Sequence, residues 1–115
     1  MMGARSLLSI GVAFAAAALA GCASQSPSCD VLCPVARPAF EGCMETWGLA
    51  YGAAVGYEDA DDYDAWCTTW VLEQEVLADT AEDDVAAFQA LETRCESITQ
   101  QLQGDDCAVY WGLWD

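Results

Sequence analysis

Apolar residues recur at helical spacing in three stretches of the chain. In the first stretch they lie at Phe40, Cys43, Met44, Trp47 and Tyr51. In the second they lie at Tyr63, Trp66, Cys67, Trp70 and Leu77. The third stretch is the most regular, with steps of three and four residues between Phe88, Leu91, Cys95, Ile98 and Leu102. Because side chains three and four residues apart share one face of an α-helix, the pattern predicts three amphipathic helices.

Residues between these stretches set the predicted helix ends. Pro38 suits the first turn of the first helix. Because glycine weakens a helix, this helix is expected to fray or end between Gly48 and Gly56. The second helix is expected to start in or just after the acidic segment from Glu58 to Asp64, because carboxylates near a helix N-terminus complement the positive end of the helix dipole. Thr80 and Asp83 have the spacing of a capping box for the third helix, with Asp in place of Glu or Gln. Gly104 is the predicted C-cap of that helix.

A single helical turn is predicted ahead of the first helix. Ser28 would cap this turn, and Pro34 discourages the helix from continuing past Cys33. Cys29 and Cys33 are four residues apart and therefore face the same side. They bridge to each other or reach two different neighbouring helices, and we favour the second arrangement.

The N-terminal part begins with Arg5 and an apolar run over residues 7–20, which ends in Leu19-Ala20-Gly21-Cys22. This tetrapeptide resembles the lipobox of bacterial lipoproteins, in which the cysteine thiol is acylated and the cysteine becomes the new N-terminus. The resemblance implies a signal peptide at residues 1–21, a lipidated flexible tether at residues 22–28 and a disulfide-rich helical domain at residues 29–115. It also implies a cell-envelope protein held at the membrane by acyl chains, such as palmitate, on Cys22. Since Ala23 and not Asp follows this cysteine, the resemblance favours the outer membrane over the inner one.

Two other fates of this N-terminal segment remain open. Ordinary signal-peptide cleavage after Ala18-Leu19-Ala20 satisfies the small-residue rule equally well. It would give a secreted soluble protein with seven cysteines, one of them unpaired. An uncleaved anchor is less favoured, because the apolar run is short for a transmembrane helix.

The cysteine count indicates a disulfide-braced domain. Setting Cys22 aside leaves an even set that predicts three disulfides in an oxidising compartment: Cys29, Cys33, Cys43, Cys67, Cys95 and Cys107. Short connections favour an up-down-up bundle, which would bring Cys43, Cys67 and Cys95 to similar heights, so that two of these three could pair. The six cysteines allow fifteen connectivities, and the sequence does not choose among them. The predicted fold class is all-α: a small three-helix bundle braced by about three disulfides, after a cleaved N-terminal signal.

The chain is strongly acidic, with 19 Asp and Glu, three Arg, no His and a formal charge of −16 at pH 7. Loss of residues 1–21 would remove Arg5 and leave Arg37 and Arg94 against the 19 acids, a side-chain charge of −17. Nucleic acid is not an expected partner, because phosphate contacts need a basic surface. A basic protein or peptide is the partner that this charge favours.

The side-chain inventory argues against catalysis. Histidine and lysine are absent, which removes the usual general base, Schiff-base chemistry and the P-loop lysine, and no Cys-x-x-Cys motif occurs. We therefore expect no catalytic residue, no cofactor and no metal site. A hydrolase using two carboxylates is the enzymatic alternative. The segment from Glu58 to Asp64 fails the EF-hand pattern, since Tyr63 and Trp70 occupy ligand positions, and an irregular calcium site there is a minor hypothesis.

The C-terminal segment is aromatic and apolar, with Tyr110, Trp111 and Trp114 following Cys107. We expect Cys107 to fix this segment across the open end of the bundle, where the three aromatic residues complete the core. A patch that binds a partner or the membrane interface is the alternative.

The sequence thus predicts a non-enzymatic cell-envelope lipoprotein that acts as an interaction or structural module with an acidic surface. A narrower alternative is an inhibitor-like binder of a cationic enzyme that acts on the envelope, such as a lysozyme.

Overall fold

The computed structural model describes residues 26–115, which form four α-helices and a 3₁₀ helix. The α-helices are α1 (Pro27–Asp30), α2 (Leu32–Trp47), α3 (Ala60–Asp79) and α4 (Asp84–Gln103), and the 3₁₀ helix spans Cys107–Trp114. The described part of the chain contains no strand beyond an isolated bridge between Gly52 and Tyr57. The all-α prediction is confirmed for residues 26–115, but these residues form four α-helices instead of three. The signal peptide and the acylation of Cys22 lie outside the described residues.

The three long helices form the bundle, and the short α1 packs mainly against α4. Consecutive long helices run in opposite directions, so α1, the starts of α2 and α4 and the end of α3 share one end of the bundle. The segment between α2 and α3 lies at the other end, together with the start of the 3₁₀ helix. We call these the α1 end and the loop end. None of the helices in residues 26–115 has the length and hydropathy needed to cross a bilayer.

Helix α2 begins at Leu32, earlier than the start predicted at Pro38. Pro34 lies in the first turn, where a missing N–H is tolerated, but Pro38 lies inside the helix and removes a backbone hydrogen bond. The helix continues because one face is buried along its whole length, through Leu32, Ala36, Phe40, Cys43 and Met44. Its predicted end is confirmed, since Gly48 closes α2 in the left-handed conformation at φ 71°.

Helix α3 begins inside the acidic segment, as predicted. The carboxylate of Asp59 caps the helix by accepting from the backbone N–H of Asp62 at 2.8 Å. In return, Asp62 Oδ2 accepts from the backbone N–H of Glu58 at 2.9 Å. The acidic side chains therefore satisfy backbone donors at a helix start.

The core face predicted for α3 is correct at its start and wrong at its end. Tyr63, Cys67 and Trp70 are buried, whereas Leu77 is 63% exposed. The buried face continues instead through Val71, Glu75 and Ala78. Towards the end of α3 a carboxylate thus lies inside and a leucine outside.

Helix α4 follows its predicted face closely. Leu91, Cys95, Ile98 and Leu102 are buried, and Phe88 is half-buried. The proposed capping box is wrong, because Asp83 is itself the N-cap and accepts from the N–H of Ala86 at 3.1 Å, while Thr80 ends α3. Gly104 is the C-cap, as predicted.

Three disulfides cross-link the domain: Cys29–Cys95, Cys33–Cys67 and Cys43–Cys107, with Cα–Cα distances of 5.0, 5.8 and 5.4 Å. The first joins α1 to α4, the second joins α2 to α3, and the third joins α2 to the 3₁₀ helix. Cys29 and Cys33 reach different helices, which confirms the favoured arrangement. Cys43, Cys67 and Cys95 do not pair with one another, so the pairing within this group that the sequence left open does not occur. Because α2 starts early, it carries Cys33 as well, and this cysteine lies opposite Cys67.

The 3₁₀ helix returns the aromatic C-terminal segment to the bundle. Tyr110 and Trp114 are buried, as expected, but Trp111 is 49% exposed. The indole N–H of Trp70 donates to the backbone oxygen of Trp114 at 3.2 Å. The expectation that all three aromatic residues complete the core is therefore confirmed for two of them and wrong for Trp111.

Candidate interaction surfaces

Glu92 on α4 fixes the first residues of the described chain to the bundle. Its Oε1 accepts from the backbone N–H of Ser28 at 3.0 Å, and its Oε2 accepts from the Ser28 hydroxyl at 3.0 Å. The Ser26 hydroxyl also donates to Glu92 Oε1. These hydrogen bonds, led by the one from the Ser26 side chain, hold the pKa of Glu92 below its usual range, since they favour the charged form.

Glu75 on α3 holds the same segment from the other side. Its Oε2 accepts from the backbone N–H of Ser26 at 2.9 Å, and both residues are buried. Ser26 also caps α1 by accepting from the N–H of Cys29 at 3.3 Å. Residues 26–28, which were expected to belong to the tether, therefore pack on α3 and α4 with two carboxylates and the Cys29–Cys95 disulfide around them.

The centre of the bundle is an aromatic cluster around Phe40. The ring of Tyr63 stacks on Phe40 at a centroid distance of 4.6 Å, and Tyr110 lies 5.4 Å away. The hydroxyls of Tyr63 and Tyr110 share a hydrogen bond. Burial raises the pKa of both phenols, because the interior disfavours a phenolate. Both groups are enclosed and neutral, so this pair serves packing and not acid–base chemistry at a surface.

An indole pair reaches solvent at the loop end. Trp47, the last residue of α2, and Trp111 of the 3₁₀ helix stack at a centroid distance of 5.7 Å with an interplanar angle of 17°. Leu49 follows Trp47 closely in the chain, Val109 closely precedes Trp111, and each of these two aliphatic residues is 41% exposed. Exposed tryptophans are common anchors at protein interfaces, because they bury a large area with little loss of side-chain entropy. This indole pair is the site from which a binding function is best argued.

The charge around these surfaces is almost uniformly negative. Fifteen of the 19 carboxylate side chains are exposed. Both arginines of the described chain are already engaged. The guanidinium of Arg37 lies 3.2 Å from Asp64 and 3.7 Å from Glu41, and that of Arg94 lies 5.1 Å from the Trp70 ring centre and donates to the backbone oxygen of Asp115. A cationic partner would therefore meet little repulsion.

The acidic segment from Glu58 to Asp64 uses its side chains locally. Asp59 and Asp62 cap α3, and Asp64 pairs with Arg37. Among residues 26–115, no group of three or more His, Cys, Asp or Glu side chains has the arrangement of a metal site.

A small cavity of about 190 Å³ lies between α2 and the start of the 3₁₀ helix. Its lining includes Thr46, Asp105, Asp106 and Tyr110. Drug-sized ligands usually occupy about 300–1,000 Å³, so this cavity is small for such a ligand.

Sequence reasoning missed Glu75 and Glu92, although a signal for Glu75 was present. Cys67, Val71 and Glu75 follow one another at four-residue steps, so Glu75 falls on the core face of α3. Glu92 gave no comparable signal, because its partners lie more than sixty residues away in the chain. Comparison of the chain with models of known protein families, with curated proteins and with solved structures finds no match.

Proposed function

We propose that this protein is a non-enzymatic lipoprotein of the bacterial cell envelope, which is anchored through acyl chains on Cys22 and binds a basic protein or peptide at its loop end. The observation that carries the binding part is the Trp47–Trp111 stack, in which Trp111 is 49% exposed and Trp47 is half-buried, in a chain whose exposed charge is negative. The indoles supply apolar contact area, and the carboxylates attract and orient a cationic partner.

The position of the indole pair agrees with such a role. Four Cα–Cα steps separate Cys22 from Ser26, which limits their separation to about 14 Å. Helices α3 and α4 have 20 residues each, so the bundle extends about 30 Å from the α1 end to the loop end. An acylated Cys22 would therefore hold the α1 end near the bilayer and leave the loop end accessible from the aqueous side.

The anchor is tested by the intact mass of the protein from the membrane fraction, before and after reduction and alkylation. We expect the mass of residues 22–115 plus acyl groups, with six cysteines that become alkylated only after reduction. A soluble species beginning at Gly21, with one cysteine alkylated before reduction, would show a secreted protein and reject the anchor.

Binding is tested by calorimetric titration with a lysozyme as the cationic probe, at low and at physiological salt. We expect binding that weakens as salt rises and weakens further in Trp111→Ser. Leu77→Ser is the matched control, because Leu77 is also exposed but lies towards the α1 end. Binding that is absent at low salt, or equal in the two variants, would reject the loop end as the binding surface.

The same samples test the narrower alternative of an inhibitor. A lytic assay with the lysozyme probe would show reduced lysis if the bound protein blocks the enzyme. Binding without inhibition would leave a general interaction module and reject the inhibitor.

A further inference from the structure

The last two turns of α3 have apolar side chains outside and a carboxylate inside. Leu72, Val76 and Leu77 are 55%, 60% and 63% exposed, whereas Glu75 is 6% exposed. A shallow depression of about 460 Å³ lies along this outer side, which we call the α3 apolar face and define by Leu72, Val76 and Leu77. A surface helix normally has the reverse pattern, with its polar residues facing water.

The α3 apolar face lies at the same level along α3 as the point where the described chain begins, on the side of the helix that faces away from Glu75. Glu75, which accepts from the backbone N–H of Ser26, is within three residues of each member of the face. At a rise of about 1.5 Å per residue, all three side chains leave the helix within about 5 Å of Glu75 along its axis. Two further exposed aliphatic residues, Val31 and Val85, lie at the same end of the bundle.

We propose that the α3 apolar face rests on the surface of the bilayer that holds the acylated Cys22, with its side chains at the boundary between headgroups and acyl chains. This inference rests on the proposed function, because the acyl anchor brings the membrane to this side of the molecule. Cys22 lies within about 14 Å of Ser26, so the α1 end cannot leave the interfacial region while the anchor is inserted. The acyl anchor already holds the protein at the bilayer. The exposed aliphatic side chains can therefore leave water for the interface without a further loss of translational entropy.

A second copy of the chain is the competing occupant, and charge opposes it. The mature side-chain charge would be −17, so pairing two copies would bring two strongly negative surfaces together. Glu73 is exposed within the α3 apolar face, where it lines the same depression, and Asp79 is exposed just beyond it, so both carboxylates would lie close to their counterparts. A zwitterionic bilayer offers ammonium groups at the headgroup level instead, which can neutralise these carboxylates.

The experiment is hydroxyl-radical footprinting of the acylated full-length protein in zwitterionic vesicles, read by mass spectrometry. The molecule supplies matched internal controls at the loop end: Leu49 for Leu72 and Leu77, and Val109 for Val76. In free solution the face residues should be oxidised faster than their controls, because they are 55–63% exposed and the controls 41%. Contact with the bilayer should reverse this order, with a several-fold loss of oxidation at the face and none at the controls.

Each other outcome counts against the proposal. If the protein is acylated and floats with the vesicles, but the face residues remain faster than their controls, the face does not rest on the bilayer. Protection that disappears when the protein is diluted to about one copy per vesicle would identify a second copy as the occupant. A protein without acyl groups would reject the proposed anchor, and the bilayer contact with it, so the two failures are distinguishable by mass.

Discussion

Tyr63 and Tyr110 share a hydrogen bond between their hydroxyls inside the core, although 47 residues separate them in the chain. Phe40 stacks on Tyr63 and also contacts Tyr110, so the pair joins α2, α3 and the 3₁₀ helix. Because both phenols are buried away from water, each depends on the other as a hydrogen-bonding partner.

Removing one hydroxyl of this pair should lower the free energy of unfolding more than removing both. In Tyr110→Phe the Tyr63 hydroxyl is left buried without this partner, which should lower the free energy of unfolding by about 1–3 kcal/mol. The double variant Tyr63→Phe with Tyr110→Phe leaves no unpaired hydroxyl at this position and should recover part of that loss. Urea unfolding of the wild type, Tyr63→Phe, Tyr110→Phe and the double variant measures the coupling, and strictly additive losses would contradict it.

The same pair predicts a loss of stability in alkali. Burial raises the pKa of both phenols, so the folded state keeps protons that the unfolded state loses above its ordinary tyrosine pKa near 10. Their contribution to stability is therefore complete below pH 10 and declines as the pH rises further. Unfolding free energy and tyrosinate absorbance should change together, and early ionisation of these phenols in a folded protein would disprove their enclosure.

Replacing Cys43 and Cys107 together by serine should release the 3₁₀ helix from α2. The disulfide closes a loop with a sequence separation of 64, and its loss should cost about 2–4 kcal/mol. The matched control is the variant in which Cys33 and Cys67 are both replaced by serine. Their disulfide has a sequence separation of 34, about half that of Cys43–Cys107. Because the shorter loop restricts the unfolded chain less, its loss should lower the free energy of unfolding by about 0.6 kcal/mol less. Circular dichroism during urea unfolding gives both values, and reduction of all three bonds should unfold the domain. Unchanged helicity and melting after full reduction would reject this expectation.

Glu92→Gln should weaken the attachment of α1 to α4. It should also reduce the decrease in the free energy of unfolding that acidic pH causes in the wild type. The pKa of Glu92 is held below its ordinary 4.5, so its contribution is present above that value and is lost as the pH falls through the folded-state pKa. At neutral pH we expect a loss of about 1 kcal/mol from the weakened hydrogen bonds. Glu96→Gln, one turn along α4 at an exposed site, is the control and should behave like the wild type in a pH series of urea unfolding.

The parts of the fold that follow from local pattern were predictable. The regular spacing from Leu91 to Leu102 specified α4, and the acidic segment specified the start of α3 through its carboxylates. Gly48 and Gly104 marked helix ends, because glycine weakens a helix and suits its last position.

The misplaced features depend on contacts between distant residues. Pro38 resembled a helix start, but tertiary burial of Phe40 and its neighbours on α2 outweighs the lost backbone hydrogen bond. The apolar character of Leu77 suggested a place in the core. The buried backbone N–H of Ser26 needs an acceptor, however, and Glu75 supplies it from the inner side of α3. The disulfide pairing could not be predicted for a related reason, since the start of α2 decides which cysteine lies opposite Cys67.

The order of the disulfides has a consequence for resistance to proteolysis. Cys29–Cys95 encloses Cys33–Cys67, and Cys43–Cys107 crosses both. Every peptide bond from Cys29 to Cys107 therefore lies within at least one covalently closed loop. A protease that nicks the chain once in this region releases no fragment, so the Trp47–Trp111 pair remains covalently joined to the first residues of the domain until every disulfide that spans the nick is reduced.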